Sequence, residues 1–123
     1  MASEKLLMDA IAKIEADMSG MIAAAAVDLD SGLTLAVKSN RPEFDLTVAS
    51  AYNSELVKQK MKIMKALNLK ASLEDMVLTL SDQIHVIKLL PGGRSFLYLA
   101  ADRGSTNLAI LRSAVGKHTA SLD

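Results

Sequence analysis

Residues 26–36 read AVDLDSGLTLA, and how this stretch is read decides the fold. An apolar run closes on Asp28 and Asp30, Ser31 and Gly32 follow, and alternation resumes at Leu33. A strand ending in D-x-D can hold magnesium between two carboxylates, one attacking a phosphoryl group and the other passing a proton. That chemistry needs a helix and parallel crossovers after the motif. Here residues 33–39, LTLAVKS, continue at once with the period of a strand. A calcium loop fails as well, because Gly32 stands at the fifth position, where such a loop needs Asp or Asn, and Ser39 stands at its twelfth. The remaining reading is a hairpin, in which Asp30 and Ser31 tolerate turn geometry and Gly32 takes a positive φ.

Working outward, Ser3 can cap a first helix carrying Leu7, Ile11, Ile14 and Met18 at helical spacing, with Gly20 as its stop. The strand over 21–28 leads into the hairpin. In its return strand Leu33, Leu35 and Val37 share one face, and Thr34, Ala36 and Lys38 share the other. After Pro42 a helix is expected over about 45–67. On a wheel of about 100° per residue its apolar residues, Ala49 to Leu67, fill close to half the circumference, and Glu55, Lys58, Gln59, Lys62 and Lys65 fill the rest. A helix resting on one sheet needs a narrower stripe. One flank is therefore expected to cover a sheet and the other, with its adaptable methionines, to meet a second body. Residues 75–81 alternate with Met76, Leu78 and Leu80 inward, and 83–90 and 94–101 are joined by the turn signal PGG. The stretch 94–101 is apolar almost throughout, as in a central strand covered on both faces. Ser105 or Thr106 is the expected cap of a last helix bearing Leu108, Leu111 and Val115.

The order α-β-β-α-β-β-β-α and a length of 123 residues fit one domain over 1–123. Half the residues are hydrophobic, and 14 basic side chains balance 14 acidic ones. A chain without net charge lacks the basic excess of a nucleic-acid binder, and nothing electrostatic keeps its copies apart. There is no cysteine, which excludes disulfides and thiolate metal sites. No signal peptide and no membrane-inserting segment can be read, so a cytoplasmic location is expected.

No catalytic, cofactor or metal residue is assigned. PGGRS at 91–95 joins strand to strand and lacks the helix that a phosphate cradle requires. Arg94 is best read as a solvated loop residue. His85 and His118 have no metal-binding spacing, and a chain with four aromatics offers little for stacking bases.

The stretch DRGSTNLAILR at 102–112 joins a strand exit to an amphipathic helix start. With Asp28, Asp30 and Gly32 in the hairpin and Asn107, Leu108, Leu111 and Arg112 at the last helix, the chain resembles the roadblock/dynein light-chain family over roughly residues 5–118. Ala109 departs from that pattern, where many members have glycine. The resemblance implies an α+β, profilin-like sandwich: a five-stranded antiparallel sheet with the first and last helices on one face and the middle helix on the other. It implies a homodimer formed through the middle helix and the edge strand after it, with Val57, Met61, Met64, Met76 and Leu78 facing the mate. It also implies a non-enzymatic regulator of a small Ras-like GTPase, needing no cofactor, as in the prokaryotic branch. Lys58, Lys62 and Lys65 are the expected partner contacts. The alternatives are a scaffold or adaptor of a motor or signalling complex, and a small-molecule sensor.

Overall fold

A computed structural model describes residues 2–122. It contains α1 (Glu4–Ala16), β1 (Met21–Asp28), β2 (Thr34–Ser39), α2 (Leu46–Ala66), β3 (Asp75–Thr79), β4 (Gln83–Leu89), β5 (Ser95–Asp102) and α3 (Leu108–Thr119). The strands form one sheet in the order β2-β1-β5-β4-β3, and every neighbouring pair is antiparallel. β5 lies at the centre and is buried over its first seven residues, so its unbroken apolar pattern reflects cover on both faces.

Each face of the sheet carries its own core. On one, Leu7, Ile11 and Ile14 of α1 and Leu111 and Val115 of α3 pack over Ala24, Ala26, Val86 and Leu99. On the other, Leu46 and Val57 of α2 pack over Ala25, Val27, Ile87, Phe96 and Tyr98. The alanine row of β1 is fully buried, and its small side chains let helices approach the sheet from both sides.

The hairpin closes through the Asp28 side chain. The Asp28 carboxylate accepts hydrogen bonds from the Ser31 amide at 2.9 Å and the Ser31 hydroxyl at 2.6 Å. Those bonds hold the Asp28 carboxyl below the ordinary carboxylate range. Asp30 is exposed, and no cluster of three or more His, Cys, Asp or Glu able to hold a metal ion exists among the described residues. Gly32 has φ +74°, and a Cβ there would stand 3.4 Å from the Ala51 Cα, so α2 rests directly on the turn.

β2 pairs with β1 through a register shift between Ala26 and Val27; Ala36 is its buried residue, while Leu33 and Val37 are exposed. One local expectation is corrected. The α3 cap is Asn107, whose Oδ1 accepts from the Ile110 amide at 3.1 Å. The helix begins at Leu108, so Ser105 lies two residues before the cap position, where its hydroxyl donates to the Asp102 carboxylate at 2.6 Å.

Candidate functional site

The middle helix decides what surface the molecule offers. Its buried residues are Leu46, Ser50, Ser54 and Val57, and the same line continues through half-buried Met61 and Met64. Steps of three and four residues keep these side chains on one face. The two serines are small enough for the backbone to lie low on the sheet. Ser54 Oγ donates to the Leu29 carbonyl, whereas the buried Ser50 Oγ has no hydrogen-bond partner.

This placement corrects part of the expected mate surface. Val57 is fully buried within one chain, so it fastens α2 to its own sheet and has nothing to offer a second copy. Met61 belongs to the same sheet-facing line, and Met76 and Leu78 are half-buried against that core. The exposed apolar flank of α2 consists of other residues: Tyr52 at 73% exposure, Leu56 at 37%, Ile63 at 41% and Leu67 at 62%. The opposite flank touches the hairpin, where Lys58 Nζ donates to the Asp30 carbonyl at 2.8 Å. The apolar flank therefore points away from that turn.

Below α2, on the same face of the sheet, β3 presents Met76 and Leu78, with exposed Leu80 just beyond. β3 is an edge strand, and among the described residues no strand pairs with its outer side. It is anchored from behind, since Arg112 of α3 donates three hydrogen bonds to the Asp75 carboxylate, at 2.8, 3.1 and 3.3 Å. Edges of this kind are open to strand addition unless something covers them.

His85 lies between this edge and the sheet centre, paired with Leu78 on β3 and Ala100 on β5. Its Nε2 is 2.7 Å from Gln83 Oε1, which can only accept, so Nε2 carries the proton. Nδ1 then accepts from the Tyr98 hydroxyl at 3.2 Å. Phe44 stacks on Tyr98 with ring centroids 6.5 Å apart. Burial pushes the His85 pKa down, against an opposing pull from Asp82, and raises the Tyr98 pKa to about 12. Because His85 binds a proton more weakly folded than unfolded, its contribution to stability is complete above the ordinary histidine value and fades as pH falls below it. Asp28 and Asp17 also hold lowered pKa values, and their contributions are lost only in the more acidic carboxylate range. The melting temperature is thus expected to drop between pH 7 and pH 5, and a His85→Gln variant should show a smaller drop in the same scan. Equal drops in both proteins would rule out His85 as the source.

Of the expected partner-binding lysines, Lys58 is engaged by Asp30 and lies 3.8 Å from Glu55. Lys62 and Lys65 are exposed. The breadth of the apolar arc is legible in the sequence, but Val57, expected on its outer half, is buried against the sheet. The spacing of Leu46, Ser50, Ser54 and Val57 is the signal that could have set the helix orientation.

The five-stranded order, two helices on one face and one on the other define a Roadblock/LC7 fold. Among solved structures, the chain is similar to the gliding protein MglB of Thermus thermophilus, with a TM-score of 0.83 and 15% identity over 99% of this chain and 89% of that one. An MglB structure with a tetrameric arrangement gives the same score and identity over 99% and 88%. A Roadblock/LC7 domain from Streptomyces avermitilis gives a TM-score of 0.77 and 16% identity over 99% and 95%. No protein-family model and no curated protein matches the sequence. No helix among the described residues is long and apolar enough to cross a membrane.

Proposed function

We propose that this chain is a non-catalytic, homodimeric regulator or adaptor that binds a small Ras-like GTPase and modulates its nucleotide cycle. The observation that carries the proposal is the pairing of an exposed apolar helix flank, Tyr52, Leu56 and Ile63, with an open edge at β3 on the same face. A second copy related by a two-fold axis covers both features at once, β3 against β3 and flank against flank. The likeness in fold to MglB and the resemblance of the hairpin and last-helix residues to the roadblock family support the GTPase as the partner class. On this reading Lys62 and Lys65, which the fold leaves exposed, meet an acidic surface of that partner, while Lys58 serves the hairpin.

The test is a pull-down of purified Ras-like GTPases loaded with GDP or GTP, run with the native protein and with Lys62→Glu/Lys65→Glu. Capture by the native protein and a loss of at least about tenfold in affinity for the double variant are expected, since like charges facing each other across an interface are strongly unfavourable. Unchanged capture removes the lysines from the contact. No capture in either nucleotide state removes the GTPase and leaves the adaptor role.

A further inference from the structure

At one end of the sheet, the last turns of α2 and α3, the 67–74 connection and the β4–β5 turn border an open cavity of about 750 Å³. That is within the roughly 300–1,000 Å³ usual for small-molecule sites. Its apolar wall includes Met61, Met64, Leu73, Leu89 and Leu90. No aromatic side chain lines it, so a planar ring has nothing to stack on. Its uncharged polar side chains are Ser72 and Thr119, and the Thr119 hydroxyl is already committed to the Val115 carbonyl at 2.7 Å. A sugar or nucleotide, which must satisfy many hydrogen bonds, is poorly served here. Flexible methionines and leucines suit a flexible alkyl chain instead.

Charge narrows the ligand further. Lys65 of α2 and Lys88 of β4 line the cavity, against the single carboxylate of Glu74. Lys88 is also out of pattern on its strand, because Ile84 and Val86 before it on the same face are buried core residues.

Gly116 is an independent observation. It lies inside α3, where glycine costs about 1 kcal/mol relative to alanine. Its φ is not positive, and an added Cβ would meet nothing within 4 Å, so the fold itself does not require glycine. It does line the cavity, where a larger side chain would occupy the space beside it.

We propose that this cavity binds a medium-chain acyl carboxylate, with its alkyl chain against the Met–Leu wall and its carboxylate paired with Lys65 and Lys88. The proposal shares Lys65 with the GTPase reading, whereas Lys88, Gly116 and the Met–Leu wall belong to the cavity alone and none of the exposed α2 flank residues Tyr52, Leu56 and Ile63 lines it, so the Lys88 and Gly116 variants test the cavity separately. It is tested by isothermal titration of the full chain with decanoate below its micellar concentration, beside decylamine and 1-decanol. Saturable decanoate binding is expected, at least about tenfold tighter than decylamine, with a similar loss in Lys88→Glu. Gly116→Met should abolish binding by filling the cavity. Gly116→Ala should keep binding and melt at a higher temperature, which separates a filled cavity from a damaged fold. The proposal is overturned by absence of saturable decanoate binding to the native chain, by equal binding of decylamine, or by binding that survives in a folded Gly116→Met. It is also overturned if Gly116→Met shifts the sedimentation mass while decanoate binding persists, for then the cavity wall belongs to a contact between copies.

Discussion

Replacing Ile63 with glutamate, alone or with Tyr52→Glu, is expected to leave a folded protein that sediments as single chains at concentrations where the native protein, on the proposed reading, pairs. Ile63 is 41% exposed and Tyr52 73% exposed in one chain, so a carboxylate at either position remains hydrated in the separated chain. Burying that carboxylate against the mate removes its water without supplying a partner, a cost of several kcal/mol. A weakening of self-association by at least about a hundredfold should follow, equivalent to roughly 3 kcal/mol. Thermal melting of the dilute variant should stay close to that of the dilute native chain. Val57→Glu is the contrast: Val57 is wholly buried, so the same charge there should unfold the protein rather than divide it. Sedimentation equilibrium over a range of concentrations reads the first effect and circular dichroism the second. A native protein that is monomeric throughout would sink the dimer, as would an Ile63→Glu variant of unchanged mass.

The second large effect is expected at the hairpin. Gly32→Val places a β-branched side chain at φ +74° and drives its Cβ to within 3.4 Å of the α2 backbone at Ala51. The left-handed conformation costs about 1–2 kcal/mol for a residue with a side chain. Crowding a packed contact adds about 1–3 kcal/mol more. A total near 3 kcal/mol should lower the melting temperature by on the order of 10 °C in a domain of this size. An Asp30→Asn variant in the same turn is expected to be nearly neutral, because the Asp30 contact with α2 runs through its backbone carbonyl. A Gly32→Val protein that melts with the native one would mean that α2 does not depend on the turn beneath it.

Most of the fold could be read from the sequence because its signals are local. Gly32 after two aspartates, the alternation from Leu33, the PGG turn and the unbroken apolar run of β5 each fix one element, and their order fixes the sheet. What escaped depends on contacts between elements. The helical wheel gave α2 an apolar arc of the right width but no reference direction. The buried line through Ser50 and Ser54 looks polar, while the exposed flank through Tyr52, Leu56 and Ile63 looks like core. The alternation of β2 leaves open which of its faces is covered, and the irregularity at Ala26/Val27 lies in the pairing of two strands, so neither strand reveals it alone. The α3 cap is Asn107 because the helix begins at Leu108, a residue or two later than the sequence pattern suggests. The cavity was not legible at all, since its walls come from segments far apart in the chain and its clearest sign is a glycine that packs against nothing.

The strand order also constrains how the chain acquires its structure. β1 and β2 form one ribbon of neighbours, and β3, β4 and β5 form another. The seam between them joins Met21 to Ala101 and Asp28 to Ser95. Closing that seam requires a loop spanning most of the polypeptide, and such distant pairings are entropically slow to form. During synthesis the alanine-rich strand emerges long before its central neighbour exists, and its oily surface must wait, guarded or hidden, until the ribosome has delivered the second ribbon.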